Sequence, residues 1–187
     1  MAQHQDNCEI CRRIAECREG RHPGLIAELD TGFAVLGDSQ QFRGYSLLLC
    51  KTPATELDEL PASTRVRFLE EMAQLAEAVR RVVAPHKLNY EALGNLVHHL
   101  HWHVFPRQLT DADPKSPVWG QMHAAGSAAA EQAKFNPQRD RELVLALRAA
   151  LMEIRAAGNA GRDSGSGRSG CCSGSGVAAV AAAGTPG

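Results

Sequence analysis

Three histidines, His99, His101 and His103, alternate with Leu100 and Trp102 and are followed by Val104, Phe105, Pro106 and Arg107. Alternation with a period of two is the strand pattern, in which successive side chains point to opposite faces. The spacing predicts one face carrying His99, His101 and His103 and another carrying Leu100, Trp102 and Val104 as core. Each imidazole has two polar nitrogens that need partners when buried, so packing alone explains three in a row poorly. Two chemistries fit. One is a metal site, because neutral imidazole is a common zinc ligand. The other is phosphoryl or nucleotidyl transfer, with one ring attacking phosphorus while its neighbours donate hydrogen bonds. Pro106 is expected to end the strand, and Arg107 sets a planar cation suited to phosphate near that end. A solvated histidine-rich edge strand is the bland alternative. His101 is the best placed nucleophile, with a same-face neighbour on either side.

The rest of the chain must position this row. Cys8 to Glu19 reads as a short helix or turn, broken by Gly20 to Pro23. Leu25 to Leu29 and Phe33 to Leu36 read as two strands around a turn at Asp30-Thr31-Gly32. Tyr45 to Cys50 is apolar enough for a central strand, and Leu88 to Ala92 reads as a fourth. Phe68, Met72, Leu75, Val79 and Val82 recur at helical spacing within Pro61 to Val83, and Pro85 closes that helix. Arg141 to Ala156 is a second helix carrying Leu143, Leu147, Leu151 and Ile154. Strands in meander order with these helices predict an α+β domain: an antiparallel sheet of about five strands, a packed helix and a C-terminal helix.

The chain has 187 residues, 44% apolar and 22% charged, which suits one soluble domain with a sizeable core. From Gly158 to Gly187 the sequence is almost wholly glycine, serine and alanine, so residues 1–157 are read as the domain and 158–187 as a disordered tail. The run from Val177 to Ala183 is too short for a membrane anchor, and Cys171-Cys172 read as exposed thiols. A net charge of −1 without a long basic run argues against broad nucleic-acid binding. No stretch reaches membrane-spanning length and the first residues lack a signal-peptide core, so a cytoplasmic setting is expected. Cys8-Glu-Ile-Cys11 has the spacing of half a zinc site, while the six cysteines together do not resemble a secreted disulfide framework.

The run from Gly94 to Arg107, built on its His-apolar-His-apolar-His core, resembles the signature of the histidine triad (HIT) nucleotide hydrolases and transferases. The resemblance extends from about Cys8 to about Gly120. It implies a small antiparallel sheet with a packed helix, paired as a homodimer. It implies that His101 forms a covalent nucleotidyl intermediate which water then cleaves. His99 and His103 would contact phosphate oxygens or the leaving group. Asn95 stands where relatives carry a phosphate-side Gln, and Leu96 where some carry a Ser or Thr. Asn89 matches a phosphate-reaching Asn. Asp38 resembles the residue that holds the ribose hydroxyls, although a turn-forming Asp beside Gly37 reads equally well. Arg107 would meet distal phosphates. Trp119, just after a polar loop, could stack on a second base or pack under the C-terminal helix.

Some members of this family bind structural zinc through a similar N-terminal cysteine pair plus histidines. One of those histidines follows a Lys-x pattern, and here Lys51-Thr52 is followed by Pro53. Structural zinc at Cys8 and Cys11 is therefore not expected, and no cofactor is required, although magnesium can accompany the phosphates. The segment looks closest to bacterial diadenosine-polyphosphate hydrolase-like proteins, so the leading expectation is a dinucleoside polyphosphate hydrolase. A nucleoside phosphoramidase or a nucleotidyl transferase or phosphorylase is the alternative within the family. A nucleotide-binding module with little turnover, or a triad metalloprotein, is the alternative of another class.

Overall fold

The structure, a computed structural model, describes residues 8–163. The expectations for Cys171-Cys172 and for 177–183 lie outside the described residues. The elements in chain order are α1 (Glu9–Arg18), β1 (Leu25–Glu28), β2 (Gly32–Leu36), β3 (Ser46–Cys50), α2 (Ala62–Val83), β4 (Lys87–Glu91), β5 (His101–Arg107), α3 (Ala128–Ala133) and α4 (Arg141–Asp163). The five strands form one antiparallel sheet in the order β1-β2-β3-β5-β4. This is the α+β architecture expected from the strand and helix patterns.

Both faces of the sheet are covered, which is why β2 and β3 are buried along their whole length. On one face Ile26, Ala34, Leu36, Leu48 and Val104 pack against Phe68, Leu75 and Val79 of α2 and Leu147 and Leu151 of α4. Leu100 and the partly buried Trp102 belong to that core, as the alternation predicts. On the other face Phe33, Val35, Leu47, Leu49 and Phe105 pack against Ile10, Ile14 and Cys17 of α1. Those three positions recur at helical spacing, so α1 lays one apolar stripe on the sheet. Directly paired residues of an antiparallel ladder share a face. The register sets His101 opposite Leu49 and His103 opposite Leu47, so both rings lie on the α1 side.

Three sequence expectations change in detail. Pro106 does not end the strand: β5 runs to Arg107, with Pro106 opposite Leu88. The ladder to β3 stops at Ser46 and Val104, so Pro106 lies where β5 has a neighbour on one side alone, the kind of position that tolerates proline. His99 lies in a bend before β5, not within it. The helix read as ending at Ala156 continues to Asp163. Extending a helix whose nucleus is already packed costs little.

The turn between β1 and β2 is anchored from below by Glu71 of α2, which is wholly buried. Its carboxylate accepts from the Asp30 N–H at 2.7 Å and the Thr31 N–H at 3.1 Å, and from the Thr31 hydroxyl. Arg67 Nε lies 3.4 Å from the same carboxylate. Removing it strands two backbone donors, while Arg67 keeps Asp30 and Glu70 as partners. Glu71→Ala is expected to cost about 3 kcal/mol or more in urea unfolding; a loss below about 1 kcal/mol would show that the turn stands without it.

Candidate active site and an adjoining thiol cluster

His101 and His103 project from β5 with ring centroids 4.6 Å apart, nearly edge to face. Both are mostly buried. His101 Nδ1 lies 2.6 Å from the His99 carbonyl oxygen. A carbonyl can only accept, so Nδ1 carries the proton and the neutral ring keeps its lone pair on Nε2. Burial pushes the His101 pKa down, and the cation of Arg13 adds to this. His103 Nδ1 meets the Tyr45 hydroxyl at 2.6 Å. The Tyr45 ring stacks on Phe105 with centroids 3.9 Å apart, and burial drives the phenol pKa up, so it stays protonated. Burial, and then His101, lower the His103 pKa to about 3.

The third histidine is placed differently. Its Nε2 lies 2.8 Å from the Cys50 carbonyl oxygen, and its Nδ1 lies 3.6 Å from Cys8 Sγ and 3.3 Å from Cys11 Sγ. The ring thus donates from Nε2 to Cys50, which leaves the Nδ1 lone pair facing both sulfurs. His99 serves His101 through its backbone carbonyl, while its ring nitrogens face Cys50, Cys8 and Cys11. Among the described residues the ligand-grade cluster is Cys8, Cys11 and His99, with donor atoms within 4.8 Å of one another. His101 and His103 are not in it, so the three histidines do not converge on one metal. Burial, and then the hydrogen bond with Cys8, push the Cys11 thiol up to about 11. The set fits a zinc-class cation: two sulfurs and an imidazole are its usual donors, and ligand atoms around tetrahedral zinc lie about 3.6 Å apart. The cysteines stand three residues apart at the start of α1 and so share a side of the helix.

The remaining expected residues divide. Asn95 lines a cleft of about 580 Å³ together with Gly94, His98 and His101. Gly94 has a left-handed φ of 67°, so glycine suits the turn that leads there. Trp119 stands edge-on over His103, centroids 5.3 Å apart, and its indole N–H donates to Glu91. It is 44% exposed, so it borders the row from the solvent side and is not packed under α4. Asp38 pairs with Arg13 of α1, at 2.8 Å from Nη1. Arg107 is six residues from His101, about 20 Å along a strand, and is brought elsewhere. It is 3% exposed, and its guanidinium donates to Asp111, Asn89, Ser116 and Asp113, pinning the 108–117 loop. Asn89 sits opposite Phe105 on the histidine face with its amide oxygen taken by Arg107. Sequence reasoning missed Tyr45. Its position ahead of the third strand gave no sign that its hydroxyl would reach a residue 58 positions away.

Residues 22–110, a little under half of the chain, match the family model described as HIT domain. A histidine triad protein from Bradyrhizobium japonicum is 25% identical, with a TM-score of 0.58 over 68% of this chain and 89% of that one. A Zn-bound histidine triad family protein from Mycobacterium smegmatis is 22% identical, with a TM-score of 0.54 over 81% and 97%. Diadenosine triphosphate hydrolase from Plasmodium falciparum is 10% identical, with a TM-score of 0.52 over 70% and 78%. No curated protein sequence matches the chain. No helix of the described residues is long and apolar enough to cross a membrane.

The His103 pKa has a consequence for stability. A folded-state pKa of about 3 against an unfolded value of 6.5 means that the unfolded chain binds a proton first on acidification. The contribution is complete above pH 6.5 and is lost as the pH falls toward 3. His103→Gln is expected to flatten the fall in Tm between those limits. An acid limb as steep as that of the unaltered protein would place His103 in an environment that accepts charge.

Proposed function

We propose that this protein hydrolyses dinucleoside polyphosphates through a nucleotidyl-histidine intermediate on His101. The observation that carries the reading is the His101 Nδ1–H bond to the His99 carbonyl, which leaves Nε2 as the nucleophilic atom beside the cleft bearing Asn95. In the first step Nε2 forms a bond to the α-phosphorus, and the bond from that phosphorus to the bridging oxygen breaks. The leaving nucleoside polyphosphate departs with the electron pair. In the second step water attacks the same phosphorus, the N–P bond breaks, the pair returns to Nε2 and the water proton passes to solvent. A nucleophile that also leaves well divides one hard displacement into two easier ones.

His103 supports this as a neutral donor. With the Tyr45 hydroxyl donating to its Nδ1, the ring presents Nε2–H to the charge that builds on the phosphoryl oxygens. Trp119 borders the same row and is 44% exposed, which leaves indole surface for a second base. The setting proposed is cytoplasmic, where nucleotides and reduced thiols coexist. The assembly proposed is a homodimer. The edge strand β4 and the loop after it support this, since they expose Tyr90, Leu93 and Leu96, the last to 96%.

The test is product analysis on a panel of dinucleoside polyphosphates and adenosine phosphoramidates, run with the unaltered chain and with His101→Ala. Asymmetric cleavage that releases a mononucleotide, reduced about a thousandfold or more in the variant, is the expected result. Binding without turnover across the panel would make the chain a nucleotide-binding module. Trp119→Ala is expected to lower kcat/KM for dinucleotides roughly fivefold to a hundredfold more than for phosphoramidates. Equal losses on both, with a lowered Tm, would make Trp119 a packing residue.

A further inference from the structure

We infer that Cys8 and Cys11 are a peroxide-sensitive dithiol that closes reversibly to a disulfide, and that His99 passes the change to His101. The inference stands whether or not His101 attacks phosphorus. Three observations carry it. First, the two sulfurs are already neighbours, within 4.8 Å of each other at the start of α1. Residues three apart in the first turn of a helix lie within reach of a disulfide, about 4.4–6.8 Å between Cα atoms. Second, both thiols are partly exposed and line a cleft of about 590 Å³ with Arg12 and Arg18, so a small oxidant reaches them beside positive charge. Cys17 and Cys50 are buried. Third, the His99 ring touches both sulfurs through Nδ1, while the His99 carbonyl holds the His101 ring.

The two cysteines divide the chemistry. Cys8 is the N-cap of α1, at the positive end of the helix, where a thiolate is favoured. Cys11 is held as the thiol by burial and by Cys8. Cys8 sulfur attacks one oxygen of a peroxide, the O–O bond breaks, and the departing hydroxide leaves as water with the Cys8 proton. Cys11 sulfur then attacks the sulfur of the resulting sulfenic acid, the S–O bond breaks, and the second hydroxide leaves as water with the Cys11 proton. The two thiols lose two electrons together, and one hydrogen peroxide is reduced to two waters. A low-molecular-weight thiol reverses the change by exchange and is itself oxidised to its disulfide. A thiol is a weak donor, and a disulfide sulfur has no hydrogen to donate. Oxidation therefore removes the partners of His99 Nδ1 and leaves the ring with its bond to the Cys50 carbonyl alone. The carbonyl that fixes the His101 proton belongs to that same residue.

The test treats the full chain with hydrogen peroxide after removing bound metal with a chelator, because a thiolate-held cation and a disulfide exclude each other at these sulfurs. Peptide mass mapping follows the cysteines, and nitrogen-15 NMR follows the histidine rings. The expected result is a Cys8–Cys11 disulfide that forms about tenfold faster or more than Cys17 or Cys50 is oxidised, and that dithiothreitol reopens. The His99 and His101 ring resonances should move with the disulfide and return with the thiols. Cys11→Ser should stop at a sulfenic acid on Cys8, which dimedone traps. Oxidation of Cys17 or Cys50 at the same rate, or no dimedone adduct on Cys8 in the variant, would overturn the dithiol. A disulfide that leaves the His101 resonances unmoved would overturn the relay through His99.

Discussion

The site depends on one hydrogen bond, from His101 Nδ1 to the carbonyl of His99. An imidazole has two nitrogens, and which one keeps its lone pair is decided by what the other donates to. A side-chain acceptor could rotate away. A backbone carbonyl cannot, provided that its own peptide is held. The His99 peptide is held because the His99 ring is fixed by the Cys50 carbonyl on β3 and lies against the two sulfurs of α1. Residue 99 therefore works twice, as a positioning carbonyl for the nucleophile and as a ring in the thiol cluster.

The fold supplies what this needs. The sheet is covered on both faces, so β5 is fixed from both sides: Val104 in the core under α2 and α4, and Phe105 in the core under α1. His101 and His103 emerge on the α1 side, where burial keeps them neutral and lowers their pKa values. A neutral pair is what a nucleophile and a neutral hydrogen-bond donor require. Gly37 shows how tightly this face is built: a Cβ there would lie 2.3 Å from the Tyr45 ring, whose hydroxyl holds His103. Arg107, the other conspicuous cation, secures the 108–117 loop that precedes Trp119.

Much of this was legible in the sequence, for physical reasons that differ from part to part. The alternation around His101 and the helical spacing from Phe68 to Val79 report burial on one face of a strand or helix, and burial is local in its periodicity. The face shared by His101 and His103 followed from that rule. His99 broke it, because the chain bends before β5 begins and the period of two does not cross a bend. Tyr45, Cys50 and Glu71 act on residues 40 or more positions away, and no local pattern carries such contacts. Arg107 read as a phosphate ligand because its chemistry suits phosphate. The loop carboxylate and carbonyls that occupy it come from a polar segment whose path the sequence leaves open.

The central claim concerns a proton, and nitrogen-15 NMR of the protein labelled at histidine ring nitrogens observes it directly. Near neutral pH, with resonances assigned by His101→Ala, the expected result is a neutral His101 protonated on Nδ1, with an unprotonated Nε2. A His101 ring carrying its proton on Nε2, or averaging between the two tautomers, would contradict it, because the atom facing the cleft would then lack the lone pair that attack on phosphorus requires.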